Sequence, residues 1–397
     1  MLHGVRKSHL VSMALCVLIL SVLSSVTLAQ EGGDGGFIVP DPERPDRVRL
    51  RWVDHEPLGG RTRVYTRNHS KYILMKNYLD KNYQNRYLDR PLFFDRSLLV
   101  TDTSGKIDRN ERGFMVDVKT AHRFGLDGFR RDKLSRKETD VDAGILERSG
   151  LEGFQLVPEL CLNPRLLREQ GLRHDEGIRN LMTADAPGIR RLHESGLSWK
   201  VGGKTVLTTY HTDQATPEQL AAALEALREK TGDIFLFVFD YSEGRPSDLK
   251  TFHANGNAMP RELIEKRRAR LREYLDVADG VMFSAAHHLP RPDRRFYEAY
   301  YRDYYIPMVA GVLAEPAYRD KLFGLSAGVG YINNFSGSTK LESGTRYLRK
   351  SLALAFKARP DFIVLPEWHE MNENNAIRPS VYNGQSSLRI IRRFIDR

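Results

Sequence analysis

Cysteine is scarce in this chain of 397 residues, which contains only Cys16 and Cys161. Cys16 lies in an apolar run close to the N-terminus, and removal of that run would leave Cys161 alone. An intramolecular disulfide is then excluded, even in an oxidising compartment. The fold must therefore be stabilised by a hydrophobic core, and the chain is long enough to bury one in a single large domain.

Long apolar runs are missing as well, except for one at the N-terminus. Residues 10–28 are mainly apolar, follow the basic Arg6 and Lys7, and end at the small-residue site Thr27-Leu28-Ala29. This order of basic, apolar and small residues predicts a signal peptide over residues 1–29 and a secreted or periplasmic protein. Because the apolar run is long for a signal, an uncleaved membrane anchor is the alternative, and no second segment approaches a membrane span.

The sequence has no concentrated run of one charge. Lys and Arg number 61 against 51 Asp and Glu, giving a formal net charge of +10, and the basic residues are spread along the whole chain. Nucleic-acid binding usually needs a basic stripe, so we expect no nucleic-acid partner. The balance favours a soluble, weakly basic protein, with an anionic polymer as the less favoured partner.

The N-terminal region is poor in apolar residues. Residues 30–60 are rich in Gly, Pro and charge, a composition that predicts a flexible linker. Residues 61–90 interleave tyrosines with basic side chains, which indicates either a helix packed by its aromatic edge or a polysaccharide-facing surface. We therefore predict one folded domain over residues 61–397, with an N-terminal extension.

Short apolar runs alternate with longer amphipathic stretches from residue 91 onward, the pattern of repeated βα units. No Gly-rich phosphate-binding fingerprint follows the first run, which argues against an open nucleotide-binding sheet. Helices are predicted over 114–124, 217–230, 261–278 and 346–357. The fold class is thus α/β, a (β/α)8 TIM barrel, with strands at 92–100, 125–129, 154–160, 205–210, 234–239, 280–285, 308–313 and 362–365.

Polar side chains follow these predicted strands, and in a barrel such positions converge on one mouth. Their types suit hydrogen bonding to sugar hydroxyls. No His-x-His or His-x-x-x-His pair occurs within one element, so we predict no metal site and no cofactor. The predicted substrate-binding residues are Arg130, Glu159, His211, Asp240, Tyr241, His287, Glu315, Trp368 and His369.

The segment that follows the last predicted strand carries two carboxylates. Glu367 and Glu370 bracket Trp368 and His369 directly after the apolar run Phe362–Leu365. Two acids at a strand end suit glycosidic-bond cleavage, in which one carboxyl donates a proton and the other acts as base or nucleophile. Two exposed acids at a helix N-terminus are the alternative. The indole of Trp368 either stacks on a sugar or fills the end of the barrel.

Two short motifs resemble a known family. Glu367-Trp-His-Glu370, followed by Ile377-Arg-Pro379, is similar to the Asn-Glu-Trp-His-Glu-Gly…Ile-Glu-Pro segment of glycoside hydrolase family 99. Ala121-His-Arg-Phe-Gly-Leu-Asp-Gly-Phe129 resembles the Ala-x-x-x-Gly-Ile-Asp-Gly-Phe of that group and of the family 71 α-1,3-glucanases. The resemblance implies a (β/α)8 barrel that cleaves α-mannosidic linkages inside a glycan, with retention and without a metal. It further implies that Glu367 assists the 2-hydroxyl as internal nucleophile and that Glu370 is the general acid/base.

Three functional hypotheses follow. The first is a secreted, monomeric glycoside hydrolase that cleaves an α-linked, mannan- or glucan-like polysaccharide or glycan through Glu367 and Glu370. The second is a barrel that binds carbohydrate without cleaving it, since Pro366 and Met371 replace the family's Asn and Gly. The third is an enzyme that modifies an acidic or sulfated polymer with the help of Arg130, Arg131 and His211.

Overall fold

The structure is a computed structural model. It describes residues 38–41, 44–68, 99–101, 107–109, 111–132, 134–162, 174–210, 212, 215–241, 245–284, 298–330, 345–368, 375–380 and 384–397. The predicted signal peptide and the tyrosine-rich segment beyond residue 68 lie outside these ranges.

Strands and helices alternate along the described chain, as the sequence predicts. The strands are β1 (Ile38–Asp41), β2 (Arg44–Leu50), β3 (Arg63–Arg67), β4 (Leu99–Thr101), β5 (Ile107–Arg109), β6 (Gly128–Arg131), β7 (Gln155–Cys161), β8 (Lys200–Val201), β9 (Lys204–Tyr210), β10 (Phe235–Asp240), β11 (Met259–Pro260), β12 (Gly280–Met282), β13 (Leu322–Ser326) and β14 (Phe362–Leu365). The helices are α1 (Glu111–Arg123), α2 (Arg136–Ser149), α3 (His174–Ala184), α4 (Ala186–Ser195), α5 (Pro217–Thr231), α6 (Arg245–Ala254), α7 (Arg261–Val277), α8 (Ile306–Leu313), α9 (Thr345–Lys357) and α10 (Ser386–Ile395), with a π-helical turn at Tyr301–Tyr305.

Eight of the strands form a closed parallel barrel, in the order β3, β6, β7, β9, β10, β12, β13, β14. Each strand pairs in parallel with the next, and β14 returns to β3, where Val364 lies opposite Tyr65. The predicted TIM barrel is confirmed.

Alternation along the strands gives the barrel two apolar layers, because successive side chains point to opposite faces. In β10, Phe235, Phe237 and Phe239 belong to the cluster that packs against the surrounding helices. Val238, between them in the strand, belongs to a second cluster that fills the barrel interior. Since both faces of each strand are covered, the strands read as continuous apolar runs in the sequence.

Local signals fix the ends of several helices. Thr216 and Gln219 form a reciprocal capping box at the start of α5, directly before Pro217. Gly150 ends α2 in the left-handed conformation, with φ of 64°, which glycine adopts without steric cost. The capping box explains why the predicted start of α5 agrees with the observed one.

Six predicted strands overlap strands of the barrel, and two predictions are wrong. The first barrel strand is Arg63–Arg67, not residues 92–100, of which the structure describes only the start of β4. Two terminal arginines and a length of five residues obscure its apolar pattern in the sequence.

The seventh barrel strand is Leu322–Ser326, whereas the predicted run 308–313 lies in helix α8. All eight residues of Ile306–Leu313 are buried. A helix that is apolar on every side has no polar face from which its period could be recognised, and a short one resembles a buried strand.

The predicted linker also differs from expectation. Strands β1 and β2 pair as a hairpin, and β2 pairs with β11, so that these residues join a three-stranded sheet. His55 and Leu58, which follow β2, form hydrogen bonds to Asp361 at the end of the barrel where the strands begin. His55 Nε2 lies 3.0 Å from the Asp361 carboxylate, and the backbone N–H of Leu58 donates to the same carboxylate over 2.5 Å. Contacts supplied by the barrel thus order a segment that lacks a core of its own.

Candidate active site at the carboxyl ends of the strands

Polar side chains replace apolar ones in the barrel interior near the carboxyl ends of the strands. Tyr65 and Val157 belong to the interior apolar cluster, and two residues farther along the same strands stand Arg67 and Glu159. Because side chains two apart on a strand share a face, Arg67 and Glu159 also point into the barrel. In both strands the interior side chains therefore change from apolar to charged over two residues.

Arg67 connects two carboxylates from opposite parts of the sequence. Its Nε donates to Glu159 Oε1 over 2.6 Å, and its Nη1 donates to Glu367 Oε1 over 3.1 Å. Its guanidinium also lies over the ring of Tyr210, 4.3 Å from the ring centroid. Arg67 is 8% exposed, and both glutamates are at most 1% exposed. One guanidinium thus brings Glu159 and Glu367 together in a buried position.

Arg130 provides the second cation of the cluster. Its Nη2 forms an ion pair with Glu159, and its Nε donates to Thr208 Oγ1 over 3.1 Å. Nη2 also donates to the carbonyl of Thr209 over 3.2 Å. Glu159 therefore lies between two arginines, one from β3 and one from β6. We call Arg67, Arg130, Glu159 and Glu367 the charged cluster.

The charges of this cluster affect one another because the cluster is buried. Burial alone lowers the pKa of Arg67, but the negative charges of Glu159 and Glu367 outweigh it and hold the pKa of Arg67 well above its ordinary value. For Arg130, burial lowers the pKa, the positive charge of Arg67 adds to this effect, and Glu159 opposes it. The charges of Glu159 and Glu367 therefore favour the protonated form of Arg67 more than burial disfavours it.

Asp240 lies beside the charged cluster at the end of β10. Its carboxylate accepts from the backbone N–H of Ser284 over 3.0 Å and from the Ser284 hydroxyl over 2.6 Å. It is 3% exposed, and its charge raises the pKa of Arg130 against the effect of burial. The structure thus brings Arg130, Glu159, Asp240 and Glu367, all predicted from the sequence, to one end of the barrel.

A backbone ladder holds the segment that carries Glu367. The N–H of Trp368 donates to the carbonyl of Arg67 over 2.7 Å, and the N–H of Arg378 donates to the carbonyl of Trp368 over 2.9 Å. The N–H of Ile377 donates to the carbonyl of Glu367 over 3.0 Å. Arg378 also forms a buried ion pair of 2.9 Å with Asp117 of helix α1. The residues of the Ile-Arg-Pro motif therefore fix the position of Glu367.

Trp368 lies inside the hydrophobic core. It is fully buried, and its ring centroid lies 5.4 Å from that of Phe129. Within the described residues its Nε1 has no hydrogen-bond acceptor. The indole therefore packs, as Phe129 does, in the cluster between the sheet and the helices and fills the core there.

Two predicted residues lie apart from the charged cluster. The ring of Tyr241 packs with Phe239 and Tyr274 in the layer between sheet and helices, and its hydroxyl donates to the Arg267 carbonyl over 3.1 Å. Glu315 was placed after strand seven, but it precedes β13 and so lies at the opposite end of the barrel, where it pairs with Arg268 and Arg272. The prediction for Glu315 followed from the wrong assignment of strand seven.

Four predicted residues lie outside the described residues: His211, His287, His369 and Glu370. Among the residues that the structure does describe, no group of three or more His, Cys, Asp or Glu side chains is arranged to hold a metal ion. Within the same ranges, no helix combines the length and the apolarity needed to cross a bilayer.

Sequence reasoning missed Arg67, the connecting residue of the cluster. It lies in a segment predicted to be a helix or a surface, because the first strand was placed some thirty residues too late. The alternation of Tyr65 and Arg67 with Val64 and Thr66 was the available signal. The sequence does not predict Tyr210 and Ser284, because an aromatic or hydroxyl side chain at a strand end is as common in ordinary packing as in a binding site.

Comparison with known proteins gives evidence on the fold. No family model and no curated protein sequence matches the chain. A solved structure of the GH99 endo-alpha-mannosidase from Bacteroides thetaiotaomicron, bound to BIS-TRIS-propane, aligns with a TM-score of 0.56 at 13% identity, over 84% of this chain and 96% of that chain. A structure titled glycoside hydrolase-like protein aligns with a TM-score of 0.54 at 11% identity, over 91% of this chain and 99% of that chain. The chain therefore has a family 99-like (β/α)8 barrel, and the expected fold is confirmed.

Proposed function

We propose that this protein is a glycoside hydrolase that cleaves an α-linked polysaccharide or glycan, with Glu367 and Glu370 as the two catalytic carboxylates. The observation that carries the proposal is the position of Glu367 in the charged cluster. It lies just beyond the eighth strand, at the end of the barrel where active sites of this fold occur. The shared fold of the GH99 endo-alpha-mannosidase supports the same class of reaction.

The surroundings of Glu367 suit a group that acts as a base. The guanidinium of Arg67 stabilises a negative charge on Glu367, and the backbone ladder from residues 377 and 378 fixes its position. A carboxylate beside a cation is well placed to accept a proton from the 2-hydroxyl of a sugar, whereas a general acid must hold its proton near the working pH. We therefore propose Glu367 as the base of the pair and Glu370 as the general acid/base.

Glu159 and Asp240 are proposed to bind substrate hydroxyls around this centre. Both carboxylates lie in the barrel interior beside Arg130, which compensates their charge. Carboxylates held in this way accept hydrogen bonds from hydroxyl groups without needing to rearrange. The protein is further proposed to be secreted or periplasmic through its N-terminal segment.

One observation favours a second candidate, a barrel that binds carbohydrate without cleaving it. Glu367 is only 1% exposed and is already engaged by Arg67. A carboxylate that serves only to compensate buried arginines would have the same surroundings. The two candidates differ in turnover, not in binding.

The test is hydrolysis of a panel of α-mannans, α-glucans and acidic polysaccharides, followed as the release of reducing ends. We expect wild-type protein to cleave an α-linked member, and we expect Glu370→Gln to reduce kcat at least about 100-fold, the usual contribution of a general acid/base. The melting temperature of the variant should remain close to that of wild type.

Two results would contradict the proposal. One is a Glu370→Gln variant that retains full activity on a substrate cleaved by wild type. The other is tight binding of a panel member by wild type with no cleavage, which would establish the non-catalytic barrel.

A further inference from the structure

The outer face of helices α9 and α10 brings together positive charge from two separate segments of the sequence. Thr345–Lys357 contains four basic residues and no acidic one, and residues 386–397 contain four arginines and one aspartate. The whole chain has a formal net charge of +10, so these two short segments hold most of the excess. We call this surface the basic face.

The two helices lie side by side. Phe356 of α9 and Phe394 of α10 stack with ring centroids 5.7 Å apart. Arg392 of α10 extends the contact toward α1, since a methyl group added to Gly125 would come within 2.7 Å of its Nη1. The exposed Lys119 and Arg123 of α1 therefore continue the basic face on that side.

Most charges of the basic face have no acidic partner within the described part of the chain. Arg346, Arg349, Arg389 and Arg393 are all exposed, and no described residue forms an ion pair with any of them. Lys350 pairs with Glu298, and Arg392 pairs with Asp396. By contrast, exposed basic residues of α2 and α4 pair with neighbouring acids, such as Arg136 with Asp140 and Arg190 with Glu194.

The basic charges form rows that run along the barrel. Arg389 and Arg393 are four residues apart on α10, which corresponds to a rise of about 6 Å and places them on one side of the helix. Because α9 follows β13 and α10 follows β14, both helices begin at the end of the barrel that holds Glu367. The rows therefore start on the outside of the barrel, at the end that holds the candidate active site, and lead away from that end.

The apolar sides of these helices are not available to a membrane. Leu388 and Ile391 of α10, and Leu348 and Leu352 of α9, are fully buried in the core. The exposed large apolar side chains among the described residues are Leu58 and Val141, and neither lies on these helices. A surface-bound helix normally inserts such side chains among lipids, so the basic face offers charge alone.

We propose that the basic face binds an anionic polysaccharide, recognising carboxylate or sulfate groups spaced along the chain. Rows of exposed arginines match a polymer that carries repeated negative charges, and arginine binds such groups in bidentate fashion. Because the rows start at the barrel end that holds Glu367, a glycan chain bound along the face can extend toward the site. The choice of a polysaccharide over other polyanions rests on the proposed function, whereas the binding itself requires no cleavage.

The test uses the purified full chain and measures its affinity for polygalacturonate and dextran sulfate, with neutral dextran as the uncharged control. Binding to the charged polymers should weaken as salt rises. The triple variant Arg346→Gln, Arg389→Gln, Arg393→Gln should bind them at least roughly tenfold more weakly than wild type, since each charge contributes at an anionic surface. A matched variant, Arg136→Gln, Lys137→Gln, Lys230→Gln, removes three exposed charges from other helices and should bind like wild type.

Each remaining outcome would overturn the proposal. No affinity of wild type for either charged polymer excludes the site, and equal losses in the two triple variants show that only net charge matters. Tighter binding to phosphatidylglycerol vesicles or to duplex DNA than to the polysaccharides assigns the basic face to a different partner. None of these results depends on hydrolysis, so the proposed function is tested separately.

Discussion

The two halves of the barrel interior are built from the same strands but have opposite chemistry. β3 contributes Tyr65 to the half where the strands begin and Arg67 to the half where they end, and β7 likewise contributes Val157 and then Glu159. In the first half, Trp199 packs between Tyr65 and Phe362 with ring centroids 5.4 and 5.2 Å away. The second half holds the charged cluster.

This difference separates the part of each strand that stabilises the fold from the part that holds the candidate site. In the apolar half, each buried aliphatic or aromatic side chain contributes about 1.5–3 kcal/mol through burial. In the charged half, the free energy needed to remove arginines and glutamates from water offsets much of the attraction between them. A buried ion pair is therefore weak evidence for a stabilising role. Charges retained there at such cost are the ones we assign to the site.

The largest effect on stability is expected for Arg67→Met. The substitution leaves Glu159 and Glu367 buried without the cation that bridges them, and breaking a buried pair in this way costs about 3–5 kcal/mol. Urea unfolding at neutral pH would measure the loss. Arg63→Met, at the other end of the same strand, is the control: Arg63 is partly exposed and lies 3.7 Å from Asp127, so its loss should cost about 1 kcal/mol or less. Equal effects of the two substitutions would remove the distinction between the halves.

A cavity in the apolar half should destabilise the fold for a different reason. Met282 is fully buried in the interior cluster, and Met282→Ala should cost about 2–5 kcal/mol. Met282→Leu keeps the volume and should cost less than about 1.5 kcal/mol. Unfolding in urea distinguishes the two variants. If the interior were loosely packed, Met282→Ala would behave like Met282→Leu.

The smallest effect concerns an ion pair outside the interior. Burial alone raises the pKa of Glu315, but hydrogen bonds and charge from Arg272 and Arg268 outweigh it, so the pKa lies below its usual range. A carboxylate with a lowered pKa in the folded state stabilises the fold above its unfolded pKa, and the contribution is lost as the pH falls through the folded value. Glu315→Gln should therefore reduce the melting temperature slightly at pH 7, and this difference should shrink as the pH falls below the ordinary glutamate pKa of about 4.3. A loss that persists unchanged in acid would assign the effect to packing instead.

The sequence predicted the architecture better than the details of the site. Six barrel strands and four of the helices around them follow from apolar runs and from cap and glycine signals, because those signals are local. Strand Arg63–Arg67 is missed because two of its five residues are basic, and the partners of Arg67, Glu159 and Glu367, lie 92 and 300 residues away in the sequence. Helix Ile306–Leu313 was taken for a strand because burial on all sides removes its period.

Residues of the charged cluster follow from the sequence where strand positions are correct. Arg130, Glu159, Asp240 and Glu367 lie near the carboxyl end of a correctly assigned strand or just beyond it, and the structure brings them to one end of the barrel. Glu315 followed a wrongly assigned strand and lies at the opposite end of the barrel. Knowing the register of the strands therefore decides which polar residues can share a site, and sequence patterns fix that register only where the apolar runs are clear.

The most direct test of the account compares two buried carboxylates, each paired with an arginine. Glu367 pairs with Arg67 inside the barrel, and Asp142 pairs with Arg131 over 2.9 Å between the sheet and α2. On a polysaccharide cleaved by wild type, we predict that Glu367→Gln lowers kcat at least about 100-fold and that Asp142→Asn leaves kcat within about twofold, although both substitutions remove a buried charge. Equal loss of activity in the two variants, or full activity of Glu367→Gln, would contradict the assignment of the charged cluster to catalysis.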